Sequence, residues 1–455
     1  MSQVEVLSSR SERELDGERL EEAGEDARLV ELANRVIDER KVQTLFQPLV
    51  HLPTSEVVGF EALARGPEGT PLESPLALLS AARSAGRLQE LDWLCAASAC
   101  AAAQAARLHP SMSVFLNFEP VTLLTPCPED LLQLTRRAQD QLRVFVETKE
   151  QSLLDDPGRV FTGLAQVREI GWGVAIDNAV ASPASLGLFP LIRPDVIKLD
   201  LQATRGDAEA VGLTSDGARL YAEQTGASIL AQGLEAPDDL RLARAAGAGF
   251  GQGWYFGRPA PLTATTAIPR DVVPLRQQPA PDLTATPFRV VANRLSTPVT
   301  ERRFLEPIAA YLAEQTYRNG PPALLLVSFE LRHVLGETEL ARLRELVTQS
   351  AFTVLVGPET GIRQTPRSLI RHVRRDEPLG AEWNVIVLGP HYAGALVAHD
   401  LGDEVPEHDR RFEYAITHDR DLVLAAAQVF LGAAATRGST RTSDDGPEEG
   451  VGALS

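Results

Sequence analysis

Between residues 42 and 262 the chain repeats one rhythm, and this limits the fold more than any other feature. Short apolar segments (VVGF, SVFL, RVFV, GVAI, DVIKL and SILA) alternate with longer stretches that carry apolar residues at helical spacing. Such alternation predicts an α/β domain with a mostly parallel sheet. No Gly-rich phosphate turn follows the first segment, which favours a closed barrel over a doubly wound sheet. Each segment also ends in a polar residue. Glu61 ends the first, Asn117 the second, Glu147 the third and Asp177 the fourth; Lys198 and Asp200 end the fifth, Gln232 and Glu235 follow the sixth, and Gln252 follows GAGFG. In a barrel these ends converge on one mouth, where active sites are built. Three carboxylates, an amide oxygen and a lysine form a hard-oxygen site that suits Mg²⁺ or Mn²⁺ rather than zinc.

At 455 residues, the chain is too long for one ordinary core. Its formal net charge of −18 argues against a nucleic-acid backbone binder. Three cysteines (Cys95, Cys100 and Cys127) form no metal pair or disulfide framework, as expected of a cytoplasmic protein. The acidic, polar N-terminal stretch predicts no signal peptide, and no segment is long and apolar enough to predict a membrane span.

Composition divides the chain into five parts. Residues 1–25 lack periodicity and are expected to be disordered. Residues 26–262 form the barrel, opened by an amphipathic helix from Ala27 to about Lys41. Residues 263–287, rich in Pro, Gln and Thr, read as a linker; 288–435 form a second, smaller α/β domain; and 436–455 form a disordered tail.

The blocks QPLV, GFEALAR, FLNFEP, VETKEQSLLDD, AIDN, DVIKLD, LAQGLEA and GFGQGWYFGRP resemble, in order and spacing, the signature blocks of EAL domains. These are TIM-type (β/α)8 barrel phosphodiesterases that linearise cyclic di-GMP. The resemblance implies that Glu61, Asn117, Glu147 and Asp177 are ligands of one Mg²⁺ or Mn²⁺ and that Lys198 orients the attacking water. It implies that Glu150 and Glu235 steady loops, and that Gln47, Arg65, Asp200 and Gln252 lie on the ligand side, with Arg65 suited to a phosphate.

The departures from this pattern matter as much. Asn178 stands where active members have a second aspartate, and Gln232 stands where they have a glutamate. Two dications about 4 Å apart repel by roughly 16 kcal/mol at an effective dielectric near 20, and carboxylates must offset that repulsion. A second metal is therefore not expected. Ala179, Val180, Ala181 and Ser182, followed by Pro183, replace a Phe-Gly-Thr-Gly loop whose glycines allow backbone angles closed to other residues. The expectation is a catalytically degenerate barrel that binds cyclic di-GMP or a protein partner without hydrolysis. An active or weakly active phosphodiesterase and a scaffold without nucleotide affinity are the alternatives.

In the second region, VLVGPE, LGAEWNVIVLGPHYAGALVAHDLGD and DRRFEYAITHDRDLV resemble the DICT domain, which implies a sensory module. Six of the eight histidines lie here, including His391, His399 and His418, at spacings that fit no metal template. Gly-Pro pairs at 357–358 and 389–390 read as turns that, side by side, would frame a cleft. The run LIRHVRRDE reads as a solvated helix face. The expected whole is a cytoplasmic cyclic di-GMP regulator with an unidentified protein partner, no nucleic acid or membrane partner, and a homodimer as a further expectation.

Overall fold

The computed structural model describes residues 24–435, apart from 156, 180–182, 203–207, 264–267, 277–284, 319–322, 360, 366, 375–376 and 390. The two segments expected to be disordered lie outside the described residues, save for residues 24 and 25, which begin a helix over residues 24–38. Val180, Ala181 and Ser182 of the altered loop also lie outside.

Eight strands close a barrel in chain order: β1 (Gln43–His51), β2 (Glu56–Arg65), β3 (Ser113–Asn117), β4 (Arg143–Lys149), β5 (Gly173–Ala179), β6 (Val196–Asp200), β7 (Ser228–Gln232) and β8 (Phe250–Gln252). β2 to β8 are parallel, with helices between them, as the apolar rhythm predicts. β1, absent from the sequence-derived strands, runs antiparallel to both β2 and β8. Only four residues join β1 to β2, too few for the crossover that a parallel pair needs. β2 also runs past Glu61 to Arg65, so Glu61 lies inside its strand rather than at the end.

Strand periodicity of two sets the register of the interior. Leu49, Phe115, Phe145, Ala175, Val196, Leu230 and Phe250 share one buried apolar cluster, with the Phe115 and Phe145 rings stacked at 4.7 Å. Two residues along each of these strands stand Gln47, Asn117, Glu147, Asp177, Lys198, Gln232 and Gln252. The polar mouth is therefore the next interior layer above an apolar floor.

That floor is closed from below. Within the expected linker 263–287, residues 268–276 pack against the barrel. Val273 is fully buried in the same apolar cluster, its carbonyl accepts from Arg143 at 2.6 Å, and Arg276 Nε lies 3.3 Å from Asp195.

The second domain is a seven-stranded sheet in the order β12-β11-β10-β13-β14-β15-β9, with β9 (Val299–Glu301), β10 (Leu324–Ser328), β11 (Phe352–Gly357), β12 (Ser368–His372), β13 (Glu382–Leu388), β14 (Ala393–Asp400) and β15 (Arg411–Thr417). LIRHVRRDE supplies the edge strand β12, not a helix, because Ser368–His372 extends the parallel ladder of β11. Gly357 and Gly389 do not frame one cleft: β10 pairs parallel with β11 and antiparallel with β13, so Gly357 lies beyond the C-terminal end of β10 and Gly389 beyond its N-terminal end, at opposite ends of the sheet. The helices Arg302–Arg318 and Glu337–Gln349 cover one face. The helix Arg420–Ala435 covers the other and also packs against the barrel helices Pro157–Glu169 and Pro183–Ile192, so the two domains share a continuous apolar core.

Candidate functional site

At the mouth, the chain buries a lysine among carboxylates. Lys198 is fully buried; its Nζ donates to Glu147 Oε1 at 2.6 Å and to Glu61 Oε2 at 3.0 Å, and lies 3.6 Å from Asp177 Oδ1. A buried ammonium survives only with such partners. Burial lowers the Lys198 pKa, and the three carboxylates outweigh it, so the group stays above its ordinary value. Burial, together with the neighbouring Glu61 and Asp177, holds the Glu147 carboxyl well above the usual range. Burial acts the same way on Glu61, but Lys198, Gln252 and Asn117 overcome it and bring that carboxyl below its ordinary value.

Amides complete the layer. Asn117 Nδ2 donates to Glu61 Oε1 at 3.1 Å, and Gln252 Nε2 donates to Glu61 Oε2 at 2.6 Å and to Gln47 Oε1 at 3.1 Å. Gln47 in turn donates to the Gly257 carbonyl at 3.2 Å. Gln232 Nε2 donates to Asp177 Oδ1 at 2.6 Å. The structure thus gathers eight of the expected residues: Gln47, Glu61, Asn117, Glu147, Asp177, Lys198, Gln232 and Gln252.

The others stand apart. Asn178 sits at a bulge of β5 with φ 51°, a left-handed angle that Asn tolerates, and its side chain is exposed. Glu235 is exposed, and its backbone N–H donates to Asp239 Oδ2 at 2.9 Å. Asp200 accepts the Gln202 N–H at 2.9 Å, which shapes the turn after β6. Glu150 is buried and bonds Ser185, joining the short helix Glu150–Asp155 after β4 to the helix Pro183–Ile192. Arg65 lies four residues beyond Glu61 on the same face of β2, roughly 13 Å up the strand. It is half-buried, donates to the Ala64 carbonyl at 2.8 Å and meets no carboxylate among the described residues.

Asp92 is a buried polar residue that the motif reading missed. From the helix Leu88–Ala105 it accepts the Thr122 hydroxyl at 2.6 Å and the Glu119 N–H at 3.1 Å, fixing the loop after β3. Burial pushes its pKa up to about 7. With Glu61, Asn117 and Glu147 it lines a cavity of about 210 Å³ beside the mouth. The signal was an acidic residue in the apolar run LDWL.

The donor set fits a hard dication. Glu147 Oε2 and Gln252 Oε1 are buried without a hydrogen-bond partner, and the remaining donors are carboxylate and amide oxygens. Among the described residues no helix is long and apolar enough to cross a membrane.

Residues 30–259 match the EAL domain family. An uncharacterized protein of Azorhizobium caulinodans is 28% identical over 265 residues, which cover 54% of this chain and 35% of that protein. The probable cyclic di-GMP phosphodiesterase PdeB of Escherichia coli is 25% identical over 241 residues, covering 50% of this chain and 44% of PdeB. The chain therefore spans less than half the length of these curated relatives. Among solved structures, the manganese and cyclic di-GMP complex of Klebsiella pneumoniae BlrP1 matches at 25% identity and a TM-score of 0.42, over 48% of this chain and 56% of that one.

Proposed function

Through residues 30–259 this chain belongs to the EAL domain family, and from that membership we propose that its barrel binds cyclic di-GMP at the mouth without cleaving it. The observation that carries this reading is the Gln232 amide seated on Asp177. A carboxamide there occupies a carboxylate lone pair, adds no negative charge and cannot take up a proton as a glutamate could. Asn178 removes a second negative charge at the rim. A dication pair then lacks the carboxylates that would offset its mutual repulsion.

A single Mg²⁺ or Mn²⁺ would be held by Glu61, Asn117, Glu147 and Asp177 and would supply charge neutralisation for a bound phosphodiester. Arg65 offers a guanidinium that meets no carboxylate among the described residues, for a phosphate of a ligand lying over the mouth, and Gln47 and Gln252 fix the floor beneath it. Lys198 holds the acidic cluster together. A second reading, slow hydrolysis, is favoured by the lone pair of Glu147 Oε2 and by the central place of Lys198.

We also propose that the second domain is a DICT-like input module. Its helix Arg420–Ala435 packs on Pro183–Ile192, the helix whose Ser185 bonds Glu150, the residue that follows β4. A displacement there reaches the end of β4, which carries Glu147, without passing through a linker, and the packed helix leaves less of that face for a homodimer partner. Calorimetric titration with cyclic di-GMP, with the product analysed by chromatography in Mg²⁺ or Mn²⁺, separates the readings. Binding with intact ligand supports a receptor, linear dinucleotide supports hydrolysis, and no binding leaves a protein-interaction scaffold.

A further inference from the structure

On the sheet face away from the barrel, the helices Arg302–Arg318 and Glu337–Gln349 splay apart over a cleft of about 530 Å³. This lies within the range of small-molecule sites. Its floor and walls are apolar and aromatic, with Phe329, Leu343, Leu346, Trp383 and Val385 among them. Its mouth is acidic, lined by Glu306, Glu337, Glu339 and Glu407.

Charge around the cleft is unbalanced. Arg302, fully buried and stacked over Trp383 at 4.5 Å, pairs with Glu330 at 2.5 Å and with Glu306 at 3.2 Å. Arg410 pairs with the same Glu330 at 3.0 Å and with Asp400, and Arg342 pairs with Glu314. The buried His333, stacked on Phe329, spans Glu407 and Glu339 and thereby ties the short helix Glu407–Asp409 to the helix Glu337–Gln349. Arg318 also pairs with Glu314 at 2.6 Å, and His408 lies 3.6 Å from Glu306. Seven carboxylates thus face four arginines and two histidines, and Glu337 has no basic partner among the described residues.

The ligand atoms of Glu330, His333 and Glu407 lie within 4.8 Å of one another, yet a metal ion does not suit them. Glu330 is already shared by two guanidinium groups, and both ring nitrogens of His333 face carboxylates. An anion would meet the acidic rim. An ammonium group would find carboxylates there and aromatic rings below it.

We propose that this cleft binds a small organic cation with an apolar body, of the arylalkylamine class. The ammonium is taken by Glu339 and Glu407, with Glu337 at the rim, and the apolar body lies between the two helices on Phe329 and Trp383. The proposal is independent of whether the barrel binds a nucleotide.

The test is calorimetry of the full chain with two probes of matched shape, 2-phenylethylammonium and 3-phenylpropionate, repeated with tryptammonium. The amine is expected to bind about tenfold or more tightly than the carboxylate, as one close charge contact dictates. Glu407→Gln and the rim variant Glu337→Gln are each expected to weaken it by roughly threefold or more. Ala313 lines the cleft from the helix Arg302–Arg318, and Ala313→Phe, which fills the cleft, is expected to abolish binding, with circular dichroism confirming its fold. Equal or tighter binding of the carboxylate overturns the proposal. So does amine binding unchanged in folded Ala313→Phe and in the exposed Glu337→Gln, and so does the absence of heat with either amine at millimolar concentration.

Discussion

Gln232 Nε2 donates to Asp177 Oδ1 across 2.6 Å, a neutral link between β7 and β5 at the rim of a buried acidic cluster. Gln232→Glu turns that donor into a second carboxylate against Asp177. Without metal, the variant is expected to lose about 1–3 kcal/mol of stability, the cost of a lost buried bond. Mn²⁺ is expected to raise its unfolding temperature more than it raises the parent's, since the new acid favours the cation-bound state. Scanning calorimetry in EDTA and in MnCl₂ measures both. An equal Mn²⁺ response in the two proteins contradicts the role given to Gln232.

Lys198→Met leaves Glu61 and Glu147 buried without their ammonium. Breaking a buried pair from one side costs about 3–5 kcal/mol. Glu147 already has a folded pKa above its unfolded value, and losing Lys198 raises it further. Its contribution is therefore favourable below the unfolded pKa and is lost as pH rises toward the folded one. The deficit is expected to be largest near neutrality and to shrink on acidification toward pH 5. Denaturant titrations at several pH values check this, and a deficit independent of pH counts against it.

Arg65→Ala tests the ligand side alone. The side chain is half-buried and meets no carboxylate among the described residues, so the fold is expected to be unchanged within about 0.5 kcal/mol. Cyclic di-GMP affinity is expected to fall about tenfold to a hundredfold, the loss of one charge-assisted phosphate contact. Titration calorimetry beside thermal unfolding separates the two effects.

How much of this was legible follows from periodicity. Every polar mouth residue on β3 to β8 stands two positions after a buried apolar residue, as Phe145 precedes Glu147, so alternation alone marked the layer. β1 escaped notice because QTLFQPLVH carries a proline and lacks clean alternation; its place comes from the hairpin with β2. Glu235 and Asn178 carry motif positions, but their side chains turn to solvent, and sequence spacing does not fix that direction. His333 could not be singled out because its partners Glu407 and Glu339 come from separate elements that only the tertiary fold brings together.

Asp92 offers a pH signature. Its pKa of about 7, raised chiefly by burial, exceeds the ordinary aspartate value of 3.8. The folded state thus binds more protons than the unfolded one between those values, and stability falls as pH rises from about 4 to 7. The full effect is at most about 4 kcal/mol. Asp92→Asn is expected to flatten that fall, measured as the difference between variant and parent in urea midpoints across the window. An identical slope in both proteins contradicts a protonated Asp92.

Val273→Asp probes the segment beneath the barrel. It puts an unpaired carboxylate against Phe145 and Val196, and a loss of more than about 3 kcal/mol is expected. Urea denaturation measures it. A change below about 0.5 kcal/mol, typical of a solvated linker, contradicts the packing described.

The most direct test of a binding barrel is a single calorimetric titration of the intact chain with cyclic di-GMP in Mg²⁺, followed by chromatography of the recovered nucleotide. The account predicts saturable binding at micromolar concentration or below, with the ligand recovered intact. Linear dinucleotide formed in proportion to enzyme and time, and absent in Lys198→Met, would contradict it.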